Sequence, residues 1–348
     1  CIRDRLDPVR QYAARWLDAA GEMERLKHRH AIYFRELACK AFLGAYGPAE
    51  GEWSRVCARE EPNQIAAISW ALDSEEPDLA VEIAAYLTPF WMTAGRVATG
   101  DRFLGSLLTE ARKRPSRELV ILLAHAAYLA PGSVAMPLAS EAFAVARGLN
   151  DEFSTGLALF RMGSVVGWTG DFEKGVALTW QACEQFDRIR HPRAMDCLFN
   201  VAGMLVNVED ETGRRLDEAE AAVSDLLVRA ESLPSVRHQA IAHLMLGWVE
   251  IERGDLDLSR EHLLAAIQLH GDSGDDRWVT WEMRSLAEIE LVVGNIERAV
   301  AYHERYGARF REIWGGRFLP MDGLIQLALG SIDAGIATLI GALETYAD

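Results

Sequence analysis

Ten tryptophans punctuate this chain. Trp168, Trp248, Trp278 and Trp281 fall in or beside helically patterned segments, and the polar residues Ser164, Asn200, Asn207, Arg284 and Glu288 sit at comparable heights. The chemistry such a set can perform is non-covalent recognition. Trp offers a large contact area at small entropic cost, and Asn and Arg orient a polar ligand. Trp168, Asn200, Asn207, Trp248, Trp281 and Arg284 are the candidate ligand-binding residues. The same tryptophans could instead be packing between helices. In that case Trp248→Ala would cost about 3–5 kcal/mol by opening a cavity.

Residue types suited to catalysis do not assemble. There is no Gly-x4-Gly-Lys-Ser/Thr phosphate loop, no Gly-Lys dipeptide, and no His-Glu-x-x-His or Gly-x-Ser-x-Gly motif. His28 and His30 are two apart and face different sides of a helix, while His262 and His270 lie two turns apart with no third ligand. They read as surface or packing histidines. The acidic pairs Glu60-Glu61, Glu75-Glu76 and Asp275-Asp276 fall at connections, where helix capping explains them. Cysteines at 1, 39, 57, 183 and 197 are odd in number and form no Cys-x-x-Cys pair, so neither disulfides nor zinc are indicated. No cofactor or metal is expected, and reduced thiols fit a cytoplasmic location.

The elements that must position the candidate residues are announced by turns. Gly95-Arg96-Val97, Gly132-Ser133-Val134, Gly170-Asp171-Phe172, Arg214-Arg215-Leu216, Gly254-Asp255-Leu256, Gly294-Asn295-Ile296 and Gly330-Ser331-Ile332 begin 37, 38, 44, 40, 40 and 36 residues apart. A second marker, Gly163, Gly203, Gly247, Ala287 and Gly323, precedes its turn by seven residues in four cases and by eleven at Gly203. Four extra residues within 208–213 explain the exception and the long 44. A period near forty with one such turn per unit identifies stacked helical hairpins. The expected fold is all-α: a right-handed superhelix of antiparallel hairpins whose first helices line the concave face.

Within a unit, apolar residues of 239–251 cover more than one helix face, as a helix wedged between neighbours requires. Gly254 suits a left-handed helix end and Asp255 a cap for the next helix, about 256–270. The first ninety residues lack the repeat and predict helices near 7–20, 22–43, 50–59 and 63–73. Ten of the eleven prolines, Pro62 and Pro137 included, are assigned to helix starts or connections. Pro89, inside 78–94, predicts a kink or two short helices. No strand-like alternation of useful length is present.

A net charge of −16 opposes nucleic-acid binding by this segment. The basic stretch Arg3, Arg5, Arg10, Arg15, Arg25, Lys27 and Arg29 is interrupted by acidic residues and reads as a solvated helix face. No apolar run approaches the roughly 18–20 residues of a membrane span. The start, Cys1-Ile2-Arg3-Asp4, is neither a signal peptide nor an initiator Met, as though cut from a longer chain.

Leu246-Gly247 leading to Gly254-Asp255-Leu256, and Met162-Gly163 leading to Gly170-Asp171-Phe172, resemble tetratricopeptide repeats. Gly175, Ala219, Ser259, Ala299 and Gly335 stand at that family's small-residue position. Pro8-Val9-Arg10-Gln11-Tyr12-Ala13-Ala14-Arg15-Trp16-Leu17, Ala20-Gly21-Glu22 and Arg29-His30-Ala31-x-Tyr33-Phe34 resemble a junction in large bacterial regulators of the LuxR and predicted-ATPase types. These are signal-transduction ATPases with a nucleotide-binding domain, a winged helix and a tetratricopeptide-like arm. Glu61-x-Asn63-x-x-Ala66-Ala67-Ile68-x-Trp70-Ala71, Phe90-Trp91-x-x-x-Gly95 and Gly100-x-x-Phe103-Leu104 resemble the blocks that follow.

The resemblance implies residues 1–20 as a remnant of a winged-helix domain, 21–94 as the N-terminal helical region of the arm, and 95–348 as the repeat array. It implies a non-catalytic sensor and protein-interaction arm of an ATPase-type transcriptional regulator. Its partners would be an upstream ATPase domain, absent from this segment, and an inducer or protein, with no nucleic acid and no membrane. The alternative is a free-standing scaffold that binds a peptide or protein. An all-helical enzyme lacks an acid, base, nucleophile or metal set. Purified residues 1–348 are expected to show no ATP binding by calorimetry and no duplex-DNA binding at physiological salt; micromolar affinity for ATP contradicts the reading.

Overall fold

The computed structural model describes residues 12, 15–93, 97–210, 213–273, 276–314 and 320–347. Residues 15–19 are helical, and among the described residues sixteen helices follow. Three open the fold: α1 (Met23–Leu43), α2 (Glu50–Asp73) and α3 (Pro77–Thr93). They pack pairwise as a bundle, and α3 also packs on the next two helices, joining bundle to array. The rest are α4 (Val97–Ala111), α5 (Arg117–Leu129), α6 (Gly132–Leu149), α7 (Glu152–Trp168), α8 (Phe172–Arg188), α9 (Ala194–Leu205) and α10 (Leu216–Ser232). They continue with α11 (Val236–Arg253), α12 (Leu256–Ser273), α13 (Asp276–Val292), α14 (Ile296–Trp314), α15 (Pro320–Ala328) and α16 (Ile332–Ala347).

The odd-numbered helices from α3 to α15 each touch the next odd-numbered helix. Each even-numbered helix packs on the odd-numbered helix before it and on the one after. Helices that pack side by side at closer range lie on the inner radius of a curved stack, so the odd-numbered row is the concave face. The array is a right-handed superhelix of antiparallel hairpins.

One hydrogen-bond pattern recurs at four hairpin turns. Gly254 has a φ of 85°, its N–H bonds the Ile251 carbonyl, and the Asp255 N–H bonds the Glu250 carbonyl. The same pair of bonds forms at Gly170, Gly294 and Gly330, all with positive φ. Carbonyls left over at the helix end are thereby satisfied. Asp171 and Asp255 then cap the following helices, accepting from the N–H of Lys174 at 3.2 Å and of Leu258 at 3.1 Å. The turn at Gly95 lies outside the described residues.

Small residues bring the two helices of a hairpin to backbone contact. A Cβ on Gly163 would lie 2.9 Å from the Gly175 carbonyl oxygen and 3.0 Å from the Thr179 nitrogen. Gly323 stands in the same relation to Gly335, with the carbonyl oxygen 3.0 Å from a built Cβ. At Gly247 the partner is Ser259, whose hydroxyl donates to the Gly247 carbonyl at 2.8 Å.

Several features add to or depart from the sequence reading. The four extra residues within 208–213 contribute to a minimal antiparallel ladder, β1 (Glu209–Asp210) with β2 (Gly213–Arg214), pairing Glu209 with Arg214 and Asp210 with Gly213. The predicted helices 50–59 and 63–73 are one helix, α2, running through Pro62. Pro137 likewise lies inside α6, and the helix predicted to end at 270 continues to Ser273. Pro89 neither ends α3 nor divides it. The absent Pro89 N–H would have bonded the Ala85 carbonyl; the Thr88 hydroxyl donates to that oxygen instead, at 2.8 Å. Among the basic residues, Arg15, Arg25, Lys27 and Arg29 are exposed, and Arg25 and Lys27 pair with Glu22 and Glu24.

Gly163→Ala is expected to destabilise the fold by about 1–3 kcal/mol in urea denaturation, because backbone has to move. Gly105→Ala, in mid-helix with nothing within 4 Å of the new Cβ, is expected to be neutral or stabilising by up to about 1 kcal/mol.

Candidate functional site

The concave row carries polar side chains where a helix wedged between others would ordinarily be apolar. On α7, the Ser164 hydroxyl donates to Asn200 Oδ1 of α9 at 3.3 Å. From the start of α9, Asp196 Oδ1 lies 3.2 Å from His238 Nε2 of α11. On α11, Trp248 Nε1 donates to Ser285 Oγ of α13 at 2.9 Å. Polar contacts therefore run from one inner helix to the next along the inside of the curve.

Into this interior reaches the loop between α1 and α2. Gly47, with a φ of 95°, turns the chain against Leu233, whose side chain lies 3.3 Å from a built Cβ. Beside it, the Tyr46 hydroxyl donates to Asp196 Oδ2 at 2.8 Å and accepts from Arg193 Nε at 2.8 Å. The Tyr46 ring stacks on His238, with centroids 5.9 Å apart. Ser235, which caps α11, shares its hydroxyl with His238 Nδ1 at 2.8 Å and donates to Glu50 Oε2 at 3.4 Å. Arg237 lies 3.6 Å from Glu50 and 3.9 Å from Asp196. Partners in this latch stand up to 185 residues apart in sequence. It ties the N-terminal helices to the middle of the array.

The electrostatics keep the latch ionised. Burial alone would raise the Asp196 carboxyl, but the His238 hydrogen bond and the charges of Arg237, His238 and Arg193 hold it well below the usual carboxylate range. Burial pushes the Tyr46 phenol up, so it stays protonated and can donate. Burial, aided by Arg193, lowers His191 to about 4.

Next to the latch, α3, α5, α7 and the start of α9 enclose a small recess that Phe42 of α1 covers. Its accessible volume is about 10 Å³, the space of roughly one water. His125 and Arg161 line it, only 2% and 5% exposed. Both His125 ring nitrogens and Arg161 Nε lack a hydrogen-bond partner among the described residues. The Arg161 guanidinium lies over the Tyr128 ring at 4.8 Å and the Phe160 ring at 5.5 Å. Burial lowers Arg161 to about 10, which leaves it charged at neutral pH. Burial and then the Arg161 charge lower His125 to about 4, which leaves it neutral.

The six residues singled out in the sequence fall into two neighbourhoods. Trp168, 55% exposed, ends α7 and lies near Gly203 of α9, the helix that also carries Asn200. Asn200 is 8% exposed and also donates to the Asp196 carbonyl. Asn207 is exposed and donates to the Gly203 carbonyl one turn back. Further along, Trp248 and Trp281 are half-buried with ring centroids 5.8 Å apart, and Arg284 lies over Trp281 at 5.3 Å. Tyr46, His125, Arg161, Arg193, Asp196 and His238 were not singled out. Arg161 and His125 did leave a signal: each is a lone polar residue inside an apolar run, Leu157-Ala158-Leu159-Phe160-Arg161-Met162 and Val120-Ile121-Leu122-Leu123-Ala124-His125-Ala126.

Histidines once weighed as metal ligands have other partners. His262 Nδ1 lies 3.1 Å from His243 Nδ1, and His270 Nδ1 lies 2.5 Å from Glu282 Oε1. Among the described residues no group of three potential ligands assembles, and no helix is long and apolar enough to cross a membrane.

No family model matches the sequence, and no curated protein matches it. Solved structures match its shape. A Rap protein complexed with competence and sporulation factor superposes with a TM-score of 0.65 at 16% identity, over 90% of this chain and 85% of that one. The apo form of RapI gives 0.58 at 12% identity, over 75% and 95%. A signal transduction ATPase with numerous domains and a tetratricopeptide repeat sensor, from Pyrococcus horikoshii, gives 0.50 at 15% identity, over 77% of this chain and 43% of that one. The chain therefore has a tetratricopeptide-like helical-repeat fold.

Two outcomes are expected from the latch. Tyr46→Phe removes one donor and one acceptor from buried charged partners and is expected to cost about 1–3 kcal/mol in chemical denaturation. Stability should also fall as pH drops from about 6.5, the unfolded histidine value, toward 4. In that window the unfolded chain binds protons that native His125 and His191 do not, so acid favours unfolding. A His191→Phe variant should show a shallower loss of melting temperature between pH 7 and pH 5.

Proposed function

We propose that this chain is a non-catalytic sensor and interaction arm that binds an inducer or protein partner along its concave face and thereby controls an ATPase switch. The observation that carries the reading is the latch. It joins the N-terminal helices, where the sequence resembles the junction with an ATPase, to the inner helices where a ligand would lie. A ligand can drive such a switch only by favouring one arrangement of arm and ATPase over another. Asn200 of the proposed ligand face donates to the Asp196 carbonyl on α9, the helix whose start seats the Tyr46 loop, so occupancy of the face and seating of the loop are expected to be linked. The likeness to an ATPase with a tetratricopeptide repeat sensor supports this reading. The ligand face in this proposal includes Trp168, Asn200, Asn207, Trp248, Trp281 and Arg284, in a cytoplasmic protein.

A second reading is a free-standing scaffold for a peptide or protein. It is favoured by the matches to Rap proteins, which span 85% and 95% of those chains, one of them complexed with a factor. The genomic sequence upstream of Cys1 separates the two. The sensor reading expects an open reading frame that continues into a phosphate loop within a few hundred residues. A reading frame that starts immediately before Cys1 removes the ATPase and leaves the scaffold. In the full-length protein, Tyr46→Phe is expected to change the basal ATPase rate. Trp168→Ala, at an exposed ring, should leave the melting temperature nearly unchanged while weakening the response to inducer. For Trp248→Ala a loss of about 3–5 kcal/mol would mark a core residue instead.

A further inference from the structure

We propose that the recess between α3, α5, α7 and the start of α9 is an end pocket for the carboxylate of a ligand, with Arg161 as its charge partner and His125 as a second hydrogen-bond donor. The inference rests on the concave face being a ligand face, and it names the chemistry of one end of that ligand.

The first observation is an unneutralised buried cation. Arg161 is 5% exposed, yet no carboxylate among the described residues forms an ion pair with it, and its Nε has no acceptor. Burying an unpaired guanidinium is costly, and native interiors normally pair such a group. The Tyr128 and Phe160 rings lie 4.8 Å and 5.5 Å from its guanidinium carbon, cation–π contacts that stabilise the charge without accepting an in-plane N–H bond. The Asp196 charge acts on it, but Asp196 is already bonded to Tyr46 and His238.

The second observation is independent of the first. His125, on the neighbouring inner helix, is 2% exposed and neither ring nitrogen has a partner among the described residues. Neutral imidazole carries one N–H. Two buried polar side chains from adjacent inner helices therefore line one recess, and Arg161 Nε and both His125 ring nitrogens lack a partner among the described residues.

Charge and shape select the ligand class. Arg161 and Arg193 line the site, and Asp196 neutralises one of the two, which leaves one positive charge for a monoanion. A planar carboxylate takes two parallel N–H bonds from a guanidinium edge. With room for about one water, the recess takes a carboxylate only when a lining side chain such as Phe42 moves aside, and even then it admits a head group and not a whole ligand. The rest of its lining includes Phe42, Met92 and Phe153, all apolar, so the part of the ligand next to the carboxylate is apolar too. The shared chemistry is a carboxylate on an apolar body, and it has two sources: a free monocarboxylic acid, or the C-terminus of a short peptide ending in an apolar residue.

The test uses the 348-residue chain in thermal-shift and calorimetric titrations. The probes are octanoate against octanamide, and a leucine-terminated pentapeptide with a free C-terminus against its amidated form. At least one acid is expected to raise the melting temperature while its amide does not, and which acid does so identifies the source. Arg161→Met should weaken that acid about tenfold or more, as expected for loss of hydrogen bonds to a charged group. The same substitution should raise the melting temperature of the free protein, because an unpaired buried charge is gone. A purely structural arginine would give a fall instead. His125→Phe should weaken binding severalfold. The proposal is wrong if neither acid binds, if the amides bind equally well, or if Arg161→Met keeps the wild-type shift. Binding of an acid without an upstream ATPase would keep the pocket and remove the switch; an ATPase-coupled arm indifferent to both acids would do the reverse.

Discussion

Backbone contact inside the hairpins at Gly163, Gly247 and Gly323 sets the rest of the architecture. Gly163 against Gly175, Gly247 against Ser259, and Gly323 against Gly335 let two antiparallel helices approach until main chain meets main chain. Such an approach fixes the crossing geometry of the pair, which a larger side chain would widen. Repeated at a constant interval, one geometry stacks into a curve with one helix of every pair inside. The inner helices then contact their counterparts directly, and residues some forty apart in sequence become neighbours. The Ser164–Asn200 and Trp248–Ser285 bonds, 36 and 37 residues apart, are consequences of that stacking.

A curved array has an inside, and here the N-terminal helices occupy part of it. Tyr46, Glu50 and Phe42 reach the starts of α9 and α11 and the recess beside Arg161. The cluster they form is charged, and a buried charged cluster is stable only when each member is satisfied. Asp196 meets that condition through Tyr46, His238 and two nearby arginines. Removing one partner leaves the others desolvated, so the latch is an all-or-none contact and not a graded one.

The array was legible from the sequence because its determinants are local. A left-handed glycine, a cap after it and a small residue seven positions earlier all act within one hairpin; four turns show the glycine, and two of them, at Asp171 and Asp255, the side-chain cap. The inserted residues were legible as a count but not as a ladder, since two-residue strands carry no alternation to read. Pro62 misled because a helix held by tertiary packing tolerates a missing N–H, and at Pro89 the Thr88 hydroxyl takes the freed carbonyl within one continuous helix. The site was less legible. Tryptophan marks large contact area but not which face it covers, and Trp248 and Trp281 turn out half-buried against each other. Tyr46 lies 150 residues from Asp196, and no local rule links them. The lone Arg161 in an apolar run was the one local sign of a buried charge.

Arg193 is where the two halves of the site meet. Its Nε is bonded to the Tyr46 hydroxyl, and its side chain also lines the recess with Arg161 and His125. Any charge placed in the recess acts at short range on a guanidinium that holds the N-terminal loop, inside a region shielded from solvent, where Coulomb energies are several times those in water. Phe42 adds a steric link, because it covers the recess from α1 and packs edge-on against Phe153 of α7 at 6.0 Å. Filling the recess without disturbing Phe42 or Arg193 is geometrically difficult when it has room for about one water. The recess on the inner face and the N-terminal helices thus share Arg193 and Phe42 as common contacts.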